Sequence, residues 1–404
     1  MKKMKIAALV SLMVMSAVLL SSCVHKRDEP APSQTESSTD DGLWDIFEPS
    51  EQESTDTFQS NTTTVNVEKS TASEQTTSKA HTTQKTPSES KTESETTTTE
   101  KTTSKETEAQ SSGWDFKEWV ESLNTLAPKE YYKKVKTGTE LEAKYMARGS
   151  YNTAVAEYKT DNKTVGTIAV WYPADVKSQK TAYPLVIMAN GSGVTYERYK
   201  PVFERLASWG FIVAGNMDES SWSGESSEYT LNYMLNLNKT KSNIFYGKID
   251  TANIGIAGHS QGGVGAINAA SAQPGKDMYK AVFAISTTHL PLAQFLKWDY
   301  NISAVKAPIF QAAGTGDSDA GDGKDNAGIA PLWSMTDNFN AVKNVPKIIA
   351  RRKNAQHGDM LYSADGYMTA WFCYWLKGDT AAFKNGAADI TKNPYWQDVK
   401  AENF

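Results

Sequence analysis

Six short, continuous apolar runs separated by helix-length segments constrain this chain more than any other feature. They lie at 184–189, 211–214, 253–257, 281–285, 308–312 and 347–350. Runs of this length without polar alternation are strands buried on both faces, and such strands belong to a mostly parallel sheet covered by helices. The intervening segments 196–209, 228–240, 261–272, 331–342 and 364–377 read as helices, the first ending at Gly210. Ahead of them, 151–158 and 165–172 flank Asp161-Asn162-Lys163 and read as an antiparallel hairpin. The fold class expected is α/β, with helices on both faces of the sheet. In such sheets ligands bind beyond the carboxyl ends of the strands, so functional residues are sought just after strands.

The first quarter of the chain cannot take part in this core. Residues 28–112 are mostly Ser, Thr, Glu, Lys and Gln, too poor in apolar surface to offset the entropy of ordering. Two aromatic islands interrupt the composition, Leu43-Trp44-Asp45-Ile46-Phe47 and Trp114-Asp115-Phe116-Lys117-Glu118-Trp119. Lys2, Lys3 and Lys5 precede an apolar run over 6–20, the pattern of an export signal. That run is shorter than the roughly 20 residues a membrane-spanning helix needs. It ends in Leu20-Ser21-Ser22-Cys23, which resembles the lipobox of bacterial lipoproteins. The resemblance implies that Cys23 is acylated and that the membrane is met through that lipid, on the outer side of the cytoplasmic membrane. The expected organisation is therefore a signal peptide over 1–22, a stalk over 23–112 and a folded domain over 113–404. Cys373, the second of two cysteines, then has no disulfide partner and reads as a small buried hydrophobe. A net charge of −5 gives no reason to expect nucleic acid as a partner.

Gly258-His259-Ser260-Gln261-Gly262 follows the run at 253–257 and opens the helix at 261–272. An abrupt strand-to-helix turn strains its middle residue and exposes the side chain, and it needs small neighbours on either side. Ser260 is the candidate nucleophile. A serine hydroxyl needs a base, and the chain has five histidines. His25 and His81 fall in the stalk, and His259 should point away from its neighbour. His289 follows the strand at 281–285, before any acid loop, and suits a pocket wall. His357, in the loop after 347–350, suits the base. For the acid, Asp317 is the first carboxylate beyond the strand at 308–312, with Asp319 its competitor in the same Gly-rich loop. Asp322 and Asp325 add charge, but the spacing is not that of a calcium loop, and no metal is expected. The oxyanion donors expected are the N–H groups of Gln261 and of Ser192 in Asn190-Gly191-Ser192-Gly193, with Gly191 the neighbouring possibility. The loop from Asp218 to Gly224 should border the pocket, with Trp222 as an apolar wall.

Together Asn190-Gly191-Ser192-Gly193, the stretch Leu206 to Val213, Gly258 to Gly263, Gly314-Thr315-Gly316-Asp317 and Gln356-His357 resemble the polyester hydrolase, cutinase-like and dienelactone-hydrolase-related branch of the α/β-hydrolases. The resemblance covers most of residues 150–380. It implies the α/β-hydrolase fold and a carboxylic ester hydrolase with no cofactor. By the likeness Ser260, Asp317 and His357 form the triad, and Ser192 and Gln261 the oxyanion hole. Three departures weigh against polyester as substrate: Ser192 stands where relatives carry an aromatic, their disulfide is missing, and the acid loop is longer. The expected activity is hydrolysis of acetyl or other short acyl esters. A serine peptidase of the same fold and a non-catalytic surface-binding module are the competing readings.

Overall fold

A computed structural model describes residues 127–404 except 322–327 and 384–385. The expected signal peptide, Cys23, the stalk with both aromatic islands, and Asp322 and Asp325 lie outside the described residues. Among the described residues no helix is long and apolar enough to cross a membrane.

Among the described residues nine strands form one sheet: β1 (Thr153–Lys159), β2 (Thr167–Pro173), β3 (Tyr183–Ala189), β4 (Ile212–Gly215), β5 (Ile249–His259), β6 (Tyr279–Ile285), β7 (Ile309–Gly314), β8 (Lys347–Arg352) and β9 (Trp396–Glu402). Their order is β1-β2-β4-β3-β5-β6-β7-β8-β9. The six strands β3 to β8 are parallel, as continuous apolar runs require, while β1, β2 and β9 join antiparallel at the edges. The helices are α1 (Glu140–Met146), α2 (Lys200–Ala207), α3 (Glu225–Lys239), α4 (Gln261–Ala269), α5 (Leu290–Phe295), α6 (Asp317–Ala320), α7 (Leu332–Ala341), α8 (Met360–Ser363), α9 (Asp365–Lys377) and α10 (Ala388–Lys392).

Alternate residues of each strand enter opposite layers. Val186, Met188 and Phe283 pack with Leu206 of α2 and with Phe372 of α9. Leu185, Ile187 and Val282 pack on the other side with Leu231 of α3 and Ile267 of α4. This is the α/β-hydrolase architecture. The helix expected over 196–209 is divided into a 3₁₀ turn, Tyr196–Tyr199, and α2. Pro201 sets the division, because its fixed φ and missing N–H suit the first turn of a helix and not its middle. The short helices α1, α5, α6, α8 and α10 and the strand β9 had no clear signal. β9 is a polar edge strand whose burial fades from Trp396 towards Glu402, and α1 is only 7 residues long.

Residues 127–147 are fastened to the domain by buried charge. Arg205 donates through Nη1 to the carbonyls of Tyr145, Met146 and Ala147 at 2.6, 3.1 and 3.2 Å. Its Nε reaches the Tyr131 hydroxyl at 2.8 Å and the Asp365 carboxylate at 3.3 Å. Glu142 accepts from Arg352, Trp396, Asn393 and the Gly138 N–H at 2.7–2.9 Å. A carboxylate with four donors is fully satisfied, which offsets its desolvation. Cys373 is buried and free, and burial pushes its thiol up to about 12, so it is inert.

Candidate active site

Ser260 joins β5 to α4 at φ 63° and ψ −123°, a conformation costly for any residue with a side chain. Backbone crowding enforces the turn. A Cβ at Gly258 would lie 1.9 Å from the Gly262 carbonyl oxygen, and one at Gly262 would lie 2.2 Å from that of Ala189. The Ser260 N–H donates to the Ile285 carbonyl at 2.9 Å, pinning the elbow to β6. The side chain is left partly exposed at the carboxyl end of the sheet.

His357 lies in the loop after β8 and is fully buried. Its Nδ1 is 2.7 Å from Oδ1 of Asp319. This corrects the expected pairing: Asp319, not Asp317, meets His357. Asp317 is the first carboxylate beyond the strand, but the chain after β7 winds at once into the turn of α6. There Asp317 is exposed at the first position, and Asp319 is turned inward and fully buried. The second oxygen of Asp319 accepts from the Gly314 N–H at 2.7 Å and from Ser286 Oγ at 2.5 Å. Ser318, between the two carboxylates, accepts from the His357 N–H at 2.7 Å and donates to Gln356 Oε1 at 2.7 Å.

His259 links the elbow to the loop of His357. Its Nε2 lies 2.9 Å from the His357 carbonyl oxygen, and the two rings stand 4.5 Å apart at 39°. A carbonyl only accepts, so Nε2 carries the proton. Burial and the neighbouring His357 hold the pKa of His259 well below the ordinary histidine value. It is therefore neutral and does not oppose a positive charge forming on His357. His357 Nε2 has no hydrogen-bond partner among the described residues, so no bond to Ser260 Oγ is formed in this state. Such bonds are often long until substrate binds. Replacing His259 by Phe keeps a ring in place but removes the N–H. Steady-state hydrolysis of p-nitrophenyl butyrate should show kcat/KM falling about tenfold, the size of one lost hydrogen bond. An unchanged value would mean that the loop holds itself.

Beyond β3, the Gly191 N–H donates to the Tyr199 hydroxyl at 2.9 Å and is thereby engaged. Ser192 is exposed, and its N–H enters no hydrogen bond among the described residues. Gln261 is the first residue of α4, where a backbone N–H has no partner within the helix. The Asn190 amide donates to the carbonyls of Asn216 and Asp218, and the Gly193 N–H to that of Glu219. These bonds tie the Asn190–Gly193 loop to the one before Trp222. Trp222 itself is partly buried against the layer of α3 and α4, where it serves packing. His289 caps α5, its Nδ1 accepting the Leu292 N–H at 3.2 Å, and its ring meets Trp333 edge-on at 5.2 Å. Among the described residues no group of His, Cys, Asp or Glu could hold a metal ion.

Ser286, Ser318, Trp333 and the bonding role of His259 were not singled out by the sequence. Ser286 had a signal, since it is the first residue beyond β6, next to the nucleophile strand. The assembly joins a strained serine, a buried histidine, a carboxylate and two backbone N–H groups without a hydrogen bond among the described residues, the kinds of part that acyl transfer uses. No curated protein matches the chain. A family model described as PET hydrolase-like matches residues 132–385, and the chain belongs to that family of ester and polyester hydrolases with the α/β-hydrolase fold.

Proposed function

We propose that the protein is a serine carboxylic ester hydrolase that works through an acyl-enzyme, with Ser260 as nucleophile, His357 as base and Asp319 as the acid. The observation that carries this reading is the buried His357–Asp319 contact, joined through His259 to the strained residue that follows it. Ser260 Oγ attacks the ester carbonyl while His357 Nε2 takes its proton. The N–H groups of Ser192 and Gln261 hold the oxyanion. His357 then gives the proton to the departing alcohol, and water repeats the sequence on the acyl-serine. Asp319 stabilises the imidazolium in both halves. No cofactor takes part.

The substrates proposed are acetyl and other short acyl esters, free or borne on a polymer. The family match favours esters as a class, and the small Ser192 offers no stacking surface for an aromatic diacid. We further propose that the chain is exported and held through lipid on Cys23, with residues 23–112 as a stalk facing the outside of the cytoplasmic membrane. Pre-steady-state mixing with p-nitrophenyl acetate should release a burst of about one p-nitrophenol per enzyme. Diethyl p-nitrophenyl phosphate should inactivate the protein with one adduct, located by mass spectrometry on Ser260. An active enzyme with its adduct elsewhere, or no turnover and no adduct, defeats the proposal.

A further inference from the structure

We infer that Ser286 is a positioning residue for the reaction, setting the orientation of the acid from the strand beside the nucleophile; the inference rests on the proposed function above. Eight described residues other than glycine have positive φ, and Ser286, at 45°, is the only fully buried one among them. The others, Ser260 aside, are exposed or partly buried, in turns, in the edge strand β9 (Asp398) or just past its end (Asn403), where neighbours do not enclose them. A buried serine held there is constrained by its surroundings.

Those surroundings connect every part of the machinery. The peptide unit between Ile285 and Ser286 accepts the Ser260 N–H at 2.9 Å through its carbonyl and donates to the Ala312 carbonyl of β7 at 2.7 Å through its N–H. One rigid amide thus sets the spacing between the nucleophile elbow and β7, the strand that leads into the turn carrying the acid. The Ser286 side chain then donates to Oδ2 of Asp319 at 2.5 Å. With the Gly314 N–H on the same oxygen, Oδ2 is saturated and Oδ1 is left for His357. Loss of the hydroxyl frees the carboxylate to rotate away from Nδ1, which weakens stabilisation of the imidazolium and leaves ester binding alone.

The test uses Ser286→Ala and Ser286→Gly, each in the parent and in Asp319→Asn, with p-nitrophenyl butyrate. Glycine accepts the positive φ without strain, so it separates the hydroxyl from the backbone requirement. Both single variants should lose about tenfold in kcat with KM unchanged, one hydrogen bond to a charged group. On the Asp319→Asn background neither should cause a further loss, because both changes act through one carboxylate. A fully active Ser286→Gly, or a loss that multiplies with Asp319→Asn, overturns the role of Ser286. A parent enzyme without Ser260 labelling overturns the proposed function as well, so the two failures are distinct.

Discussion

Asp319→Asn should lower kcat for p-nitrophenyl butyrate by about 10⁴-fold, while Asp317→Asn stays within about threefold of the parent. The first magnitude is that of removing the acid's charge from a triad while its shape is kept. The mechanism here is specific. The Ser286 hydroxyl and Gly314 N–H both donate to one oxygen of Asp319. They force an asparagine to place its carbonyl oxygen there and its NH₂ against His357 Nδ1. Nδ1 must then accept, the proton moves to Nε2, and the base is lost with its geometry intact. Asp317 is exposed at the start of α6 and plays no part in this arrangement. Equal losses in both variants would refute the assignment, and a large loss in Asp317→Asn alone would reverse it.

Arg205→Ala should destabilise the domain by about 3–5 kcal/mol, the cost of stripping one partner from a buried ion pair. For a domain of this size that is a fall in melting temperature on the order of 10 °C. The substitution leaves Asp365 without its cation and uncovers three carbonyls of the 145–147 stretch. Burial pushes the Asp365 carboxyl up to about 6, against the pull of Arg205 and of the Tyr131 hydroxyl. A carboxyl raised in the folded state holds its proton more tightly there than in the unfolded chain. Its contribution to stability therefore falls as pH rises from about 4 through about 6, and is level above that. Without Arg205 the carboxyl stays protonated to higher pH, so the variant's deficit should be smaller at pH 5 than at pH 8. Arg205→Met with Asp365→Leu should lose less than Arg205→Ala, since no charge is left behind. Calorimetry across this range checks both; a deficit independent of pH would mean that lost packing, not charge, is the cause.

What could be read from the residues followed from burial and periodicity. The parallel strands β3 to β8 announced themselves because both faces are covered, and β1 and β2 because Asp161-Asn162-Lys163 marks the turn between them. β9 did not, because an edge strand that ends in Lys400, Ala401 and Glu402 buries too little to impose a pattern. The same limit applied at the site. The strained turn at Ser260 was legible because crowding around Gly258 and Gly262 leaves a local signature, and the place of His357 in the loop after β8 because few histidines competed for that position. The acid was not, since Asp317 and Asp319 differ only by how one turn of α6 rotates. The partner of His259 was hidden for a related reason. His259 does point away from Ser260, but what lies there is the base loop, and sequence holds no record of that neighbour.

The fastening of residues 127–147 has a mechanical side. The Ala127 N–H bonds the Arg198 carbonyl, just past the loop of Ser192, while Arg352, at the end of β8, donates to the carbonyl of Lys136 and to Glu142. Residues 127–142 thus act as a clasp across the carboxyl end of the sheet, joining the segment that follows β3 to the end of β8 and the loop that carries His357.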